Sequence, residues 1–147
     1  MKLIDNSETV VVVVSADLSP TSDDRSAAFA LKAAVDGRGA GHPYRRAVIV
    51  SDIAWFDTPM FHDSPTICIG GPGVNGVAGR FGAELPTVWS DQGRSVIQAG
   101  FGDGPKRAAL WGADAAATTA AVDAFITRGW LDEFLDRCWR FRAGAFA

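Results

Sequence analysis

The residues best suited to chemistry lie in one stretch, where an apolar run leads into a glycine-rich turn. Residues 66–69 read Thr-Ile-Cys-Ile, and residues 70–76 read Gly-Gly-Pro-Gly-Val-Asn-Gly. A β-prone run, a glycine turn and a helix-like segment in this order are typical of a backbone cradle for an anion or a nucleotide phosphate. The sequence therefore predicts a ligand contact that involves Gly71, Gly73 and Asn75.

Three carboxylates follow predicted strands elsewhere in the chain. They are Asp17, Asp52 and Asp114. In open α/β sheets, ligands bind beyond the carboxyl ends of the strands. We therefore expect these carboxylates to join the glycine turn in one ligand-binding edge. The sequence does not specify the ligand or a cofactor.

The sequence offers little for a metal site or a nucleophile. His42 and His62 are the only histidines, and neither has a second His or Cys at a spacing typical of metal ligands. Ser51 lacks the G-x-S-x-G elbow that exposes a nucleophilic serine. We predict no metal site, and whether the chain is an enzyme stays open at this stage.

Strands alternate with helices along the chain, which predicts an α/β fold. We expect a three-layer arrangement in which helices flank a mostly parallel sheet, with a β-hairpin at the sheet edge around residues 91–93. The other strands are predicted at 9–15, 47–51, 66–69 and 107–111. Residues 52–65 are aromatic and contain Pro59 and Pro65, so a loop with one helical turn is expected there. A length of 147 residues favours a single domain, 1–147.

Glycines and caps predict the ends of the helices. Gly37 is the expected end of the first helix, and Asp114 is the expected N-cap of the fourth. Gly73, Gly76, Gly79 and Gly82 are spaced three residues apart. Because each interior glycine disfavours a helix by about 1 kcal/mol relative to alanine, we expect this row either to allow close packing of the helix on the sheet or to mark an irregular helix.

Composition argues against several partners. The net charge is -3 and the isoelectric point is about 5.2, so no nucleic-acid partner is expected. No apolar run is long enough to cross a bilayer, and no signal peptide is recognisable, so we expect no membrane association and a cytoplasmic location. Cys68 and Cys138 fit no metal spacing and are expected to be buried thiols.

The glycine turn resembles the fingerprint of the Rossmann nucleotide-binding family over residues 66–91. Gly71, Gly73 and Gly76 match G-x-G-x-x-G after a strand and before a helix, and Asp91 follows about 20 residues later. The resemblance implies that the glycines approach a pyrophosphate and that Asp91 binds ribose. The alternative function is therefore a nucleotide- or phosphate-binding enzyme, with Asp52 as a carboxylate base.

A second resemblance covers residues 66–128. A strand followed by Gly-Gly-Pro-x-x-Asn opens one unit, and residues 110–114 (Leu-Trp-Gly-Ala-Asp), with Thr118 and Ala121, open another. This pattern is similar to the small α/β modules of S-layer and cell-wall-binding proteins. The resemblance implies a non-catalytic module that associates with polymers or with its own kind.

The carboxyl-terminal segment is dense in aromatic residues and arginines. They are Trp130, Phe134, Arg137, Trp139, Arg140, Phe141, Arg142 and Phe146. Trp and Arg are enriched at the energetic centres of protein interfaces. We therefore expect a homo-oligomer formed through this C-terminal aromatic helix. The leading prediction is a non-catalytic, self-associating binding module for a small-molecule ligand.

Overall fold

The computed structural model describes residues 8–16, 24–71, 75–100 and 105–145, with side chains described up to Trp139. The strands are β1 (Val10–Val14), β2 (Ala47–Ser51), β3 (Thr66–Ile69), β4 (Thr87–Asp91), β5 (Ser95–Gly100) and β6 (Arg107–Gly112). The helices are α1 (Arg25–Gly39), α2 (Asp52–Asp57), α3 (Gly76–Glu84), α4 (Ala115–Thr127) and α5 (Trp130–Ala145). A 3-10 helix (Pro59–Asp63) lies between α2 and β3.

The strands form one open, mostly parallel sheet in the order β2-β1-β3-β6-β5-β4. Strands β2, β1, β3 and β6 run parallel to one another, whereas β5 is antiparallel to both β6 and β4. The α/β class, the mostly parallel sheet and the edge hairpin are therefore confirmed. All four parallel strands place their carboxyl ends on the same edge of the sheet.

Strand β1 is buried on both faces because every residue in it is valine. Val10, Val12 and Val14 pack in a core with α1, α4 and α5, whereas Val11 and Val13 pack in a second core with α2 and α3. Side chains alternate between the two faces of a strand, so a run without polar residues requires helices on both sides. This alternation produces the three layers.

The prediction that α1 ends at Gly37 is wrong. The helix continues to Gly39, and Ala40 ends it in the left-handed region at φ 46° while donating its N–H to the Asp36 carbonyl. Leu31 and Val35 are fully buried on the sheet. Gly39 at the end of the helix is also buried, and packing of this kind outweighs the weak helix preference of a glycine such as Gly37.

Two glycines of the row do not face the sheet, contrary to expectation, whereas Gly82 is half-buried and a Cβ there would lie 3.8 Å from the Gln98 side chain of β5. Gly76 and Gly79 are exposed, while α3 buries Val77, Ala78 and Phe81. Apolar side chains gain more from burial than glycine does, and these residues lie on one face because a helix repeats every 3.6 residues.

Residues 52–65 are more helical than predicted. Ser51 caps α2 by accepting a hydrogen bond from the Ala54 N–H at 3.1 Å. Trp55 is fully buried, and its indole N–H donates to Thr66 Oγ1 at 3.3 Å. The ring of Phe81 meets the Trp55 ring edge-on at a centroid distance of 5.9 Å. This aromatic segment therefore covers one face of the sheet.

The aromatic stripe of α5 packs inward up to Trp139. Leu131, Phe134, Leu135 and Trp139 are buried in the core shared with α1 and α4. The terminal helix therefore completes the domain's own core with these side chains, and Phe146 lies outside the described residues. No helix within the described ranges is long and apolar enough to span a membrane.

Both cysteines are free thiols that contribute to packing. Cys68 is fully buried, as predicted, and this burial raises the pKa of its thiol well above the usual range. Cys138 is only half-buried, and desolvation raises its pKa to about 12. Neither thiol ionises near neutral pH, so neither is a candidate nucleophile.

Candidate functional site

The candidate site lies where the carboxyl ends of β1 and β3 meet. These strands are neighbours in the sheet, but the helices that follow them pack on opposite faces, α1 in one core and α3 in the other. Such a point, where the connections diverge, is where open α/β sheets form a ligand crevice. The glycine turn after β3 is at this position.

Asn75 fills the gap between the two strand ends. Its side-chain Nδ2 donates to the carbonyls of Val13 at 3.2 Å and Ile69 at 3.0 Å. Its Oδ1 accepts from the N–H groups of Val77 at 3.0 Å and Ala78 at 3.3 Å. Two carbonyls on one side and two N–H groups on the other define the orientation of the amide. The side chain is fully buried and has used its whole hydrogen-bonding capacity.

Asp52 joins three loops at this edge. One carboxylate oxygen accepts from the N–H groups of Ala16 at 3.0 Å and Ile53 at 2.9 Å. The other accepts from the N–H of Gly76, the first residue of α3, at 2.9 Å. A carboxylate at this position suits the positive end of the helix dipole. The chain's own anion therefore occupies the place where a phosphate would bind.

Gly70, rather than Gly71, makes the tight turn after β3. Gly70 has φ 108°, a conformation that side chains rarely adopt, and its N–H donates to the Leu110 carbonyl at 2.9 Å. Gly71 is half-buried and accepts from the Asn75 N–H at 2.9 Å. A Cβ at Gly71 would meet nothing nearer than 4.0 Å. The pattern of consecutive glycines signalled the turn but did not distinguish between the two.

Asp114 is the N-cap of α4, as predicted. Its Oδ1 accepts from the Ala117 N–H at 2.7 Å, and its Oδ2 accepts from the Arg94 guanidinium at 2.8 Å. The Ala117 hydrogen bond and the positive charge of Arg94 lower the pKa of the Asp114 carboxyl. This carboxylate ties α4 to the β4–β5 turn. Its hydrogen bonds therefore lie on the β6 side of the edge, with Ala117 and Arg94 rather than with Asp52 or Asn75.

The remaining predicted site residues are not brought together with the glycine turn in the described structure. Asp91 ends β4, which is separated from β3 by β6 and β5, a distance of about 14 Å at the usual strand spacing. Asp17 and Gly73 lie outside the described residues.

Both histidines lie away from this edge. His42 precedes β2 and lies 3.9 Å from a carboxylate oxygen of Glu8. His62 precedes β3, contacts the Trp55 carbonyl at 2.8 Å and lies against the Trp55 ring. In the part of the chain that is described, no group of three or more His, Cys, Asp or Glu side chains could hold a metal ion.

A stripe of exposed apolar residues beside the edge was missed from the sequence. Ile53, Phe56 and Met60 are 61%, 41% and 45% exposed. Ile53 and Phe56 are three residues apart on α2 and so lie on a common side of it, whereas Met60 belongs to the 3-10 helix that follows. That spacing was visible in the sequence, but the two prolines favoured a loop.

Replacing Asp52 with asparagine tests its role as a loop tie. We expect the free energy of unfolding to fall by about 1–2 kcal/mol, because the amide removes the charge at the α3 N-terminus and can accept through only one oxygen. Chemical denaturation measures the change. Asp57→Asn is the matched control, since Asp57 is exposed on the same helix. If both variants lose the same unfolding free energy, Asp52 does not connect the loops through its hydrogen bonds.

No protein-family model matches this sequence, and no curated protein matches it. The function therefore has to be argued from the geometry of the edge.

Proposed function

We propose that this chain is a non-catalytic binding module that associates with its own kind and presents a ligand edge at the carboxyl ends of its parallel strands. The ligand would meet the backbone around Gly71 and the nearby exposed surface of α2. The side chains of Asn75, Asp52 and Asp114 would hold this edge in shape. Their polar atoms are bonded to the protein itself and would not bind the ligand.

One observation carries the proposal: the polar side chains assigned to this edge are engaged in holding it together. Asn75 makes four hydrogen bonds, and the Asp52 oxygens accept three. A carboxylate whose oxygens already accept three N–H groups has few lone pairs left to accept a proton from a substrate. These contacts support binding or scaffolding more than catalysis.

The same contacts argue against the alternative of a nucleotide- or phosphate-binding enzyme. A phosphate at a helix N-terminus needs the first N–H groups of that helix. The N–H groups of Gly76, Val77 and Ala78 are already bonded to Asp52 and Asn75. One observation still favours the enzyme alternative: the glycine turn lies where the connections after β1 and β3 diverge. One experiment should therefore compare the binding module with the nucleotide-binding enzyme.

Self-association is the second part of the proposal. The inward stripe of α5 is used by the domain itself, so the contact would use other parts of this helix, among them the half-buried Trp130. Sedimentation velocity over a wide concentration range should give a mass that rises above the 15.5 kDa of one chain. A mass that stays at that value throughout would contradict self-association.

The ligand edge is tested with two sets of probes. Thermal unfolding is measured with NAD, NADP, FAD, ATP and inorganic phosphate, and co-sedimentation is measured with purified peptidoglycan, a polymer suggested by the cell-wall-binding resemblance. We expect retention on the polymer and no stabilisation by nucleotides or phosphate. A bound ligand at one hundred times its dissociation constant would stabilise the fold by about 2.7 kcal/mol, so nucleotide binding would be detected.

A Gly71→Val variant distinguishes loss of ligand binding, whether of a polymer or of a nucleotide, from loss of the fold. A Cβ at Gly71 makes only ordinary van der Waals contacts, with Trp111 and Gly112 at 4.0 Å, so the variant should fold while its larger side chain obstructs the edge. Loss of polymer retention in the folded variant would support the proposal. Stabilisation by a nucleotide that disappears in this variant would support the enzyme alternative. If wild type shows neither polymer retention nor stabilisation by a nucleotide, the result would contradict a ligand edge for these probes.

A further inference from the structure

The two edges of the sheet are protected differently. At β4, Pro86 precedes the strand, the register shifts between Thr87 and Trp89, and the exposed Asp91 ends it. Proline, irregular pairing and charge are common devices against the addition of another strand. Strand β2 (Ala-Val-Ile-Val-Ser) has none of them within its own residues, and it pairs with β1 in regular register along its length.

The register shows which peptide groups of β2 face outward. The N–H of Val10 donates to the Arg46 carbonyl at 2.9 Å, so Arg46 directs its backbone towards β1. In a parallel strand, alternate residues direct both N–H and C=O to the same side. Val48 and Val50 therefore also face β1, whereas Ala47 and Ile49 face away from the sheet.

Two side chains of α1 already occupy the outward groups of Ala47. The Ala47 N–H donates to Asp36 Oδ1 at 2.8 Å, and the Ala47 carbonyl accepts from Lys32 Nζ at 2.8 Å. Lys32 and Asp36 also pair with each other at 2.7 Å, one helical turn apart. This donor and acceptor reproduce the two hydrogen bonds that an added strand would form.

We infer that the Lys32–Asp36 pair closes the β2 edge, and that without it this edge pairs with β2 of a second copy of the chain. An antiparallel arrangement about a two-fold axis at Ile49 would join the two Ile49 peptides by a reciprocal pair of hydrogen bonds. Ala47 would then lie opposite Ser51 of the other copy. Because the same residues meet on both sides, a second copy is the partner that fits the edge.

The test removes the pair and measures the mass by sedimentation velocity. A Lys32→Ala/Asp36→Ala variant keeps the net charge, and we expect at least a doubling of mass relative to wild type at the same concentration. Adding Ile49→Pro should return the mass to the wild-type value, since proline is tolerated on an edge where its N–H would face outward. Because every mass is compared with wild type, the result does not depend on the association proposed above.

The matched control is Glu133→Ala/Arg137→Ala. It removes another i,i+4 ion pair, with a separation of 3.3 Å, on the exposed side of α5, and it should leave the mass unchanged. A Lys32→Asp/Asp36→Lys exchange is a second variant that tests the inference if the alanine variant folds poorly. It keeps the net charge but leaves no acceptor at position 36 for the Ala47 N–H, because lysine only donates, so it should also raise the mass.

Three results would overturn the inference. One is a wild-type mass for folded forms of both Lys32/Asp36 variants. Another is an increased mass that Ile49→Pro does not reverse. The third is an equal increase in mass in the Glu133/Arg137 control, because association would then follow from the loss of any surface ion pair.

Discussion

An Asn75→Asp variant is expected to lose about 3 kcal/mol or more of unfolding free energy at neutral pH. The substitution keeps the shape and the oxygen that caps α3. It replaces Nδ2, which donates to the Val13 and Ile69 carbonyls, with a second oxygen. A buried carboxylate oxygen would then face two carbonyl oxygens, and three acceptors would have no donor between them.

The loss in this variant should depend on pH in a defined direction. Burial and the two carbonyls favour the neutral acid, so the folded-state pKa of the new carboxyl is raised above its unfolded value of about 3.9. The unfolding free energy, measured relative to wild type, should recover as the pH falls through the raised pKa towards about 4 and should change little below that. The protonated carboxyl can donate one of the two missing hydrogen bonds.

Urea denaturation near neutral pH and near pH 4 measures both effects. Asp114→Asn is the matched control, because it makes the reverse exchange at an N-cap whose side chain is half exposed, where losing the Arg94 ion pair should cost far less than the loss expected for Asn75→Asp. If Asn75→Asp were as stable as wild type at neutral pH, the contacts to Val13 and Ile69 would not hold the edge together.

The elements of this fold follow from short stretches of sequence, whereas their arrangement does not. β-branched runs bounded by turn and polar residues predicted β2 and β3 with their observed bounds. The order β2-β1-β3-β6 depends on which runs pack side by side, and those contacts join residues far apart in the chain. Sequence patterns carry no comparable signal for them.

The same limit applies to the candidate site. Asp52 and Asn75 were placed at the correct edge because each follows a strand. Their roles depend on Ala16 and Val13, which approach them only after β1 has paired with both β2 and β3. Residue type therefore predicted polar groups at the edge but could not predict that these groups bind one another.

Glycine was the residue type most often misread. Gly37 was expected to end α1, and the row after Gly73 was expected to face the sheet, because a glycine suggests a turn or a close approach without distinguishing them. The distinction depends on what surrounds each Cα. In α1 the glycine at a close approach is Gly39, which lies two residues beyond the predicted end.

Alanine substitutions at these two glycines should change stability in opposite directions. A Cβ at Gly37 meets nothing within 4 Å, so Gly37→Ala should stabilise the protein by about 0.5–1 kcal/mol by favouring the helix. A Cβ at Gly39 would lie 1.7 Å from the Arg45 carbonyl oxygen. Gly39→Ala should therefore destabilise by about 3 kcal/mol, since backbone must move.

The displacement at Gly39 should also reach α5. Arg45 donates to Glu8 at 3.1 Å and to the Trp139 carbonyl at 3.2 Å, while the Trp139 indole N–H donates to the Glu8 carbonyl at 2.8 Å. Moving the Arg45 backbone would loosen this link between the start of the chain and its last helix. Hydrogen exchange should show faster exchange in α5 for Gly39→Ala and wild-type exchange for Gly37→Ala. Stability changes of the same sign in both variants would mean that helix preference, rather than the approach of Arg45, governs this end of α1.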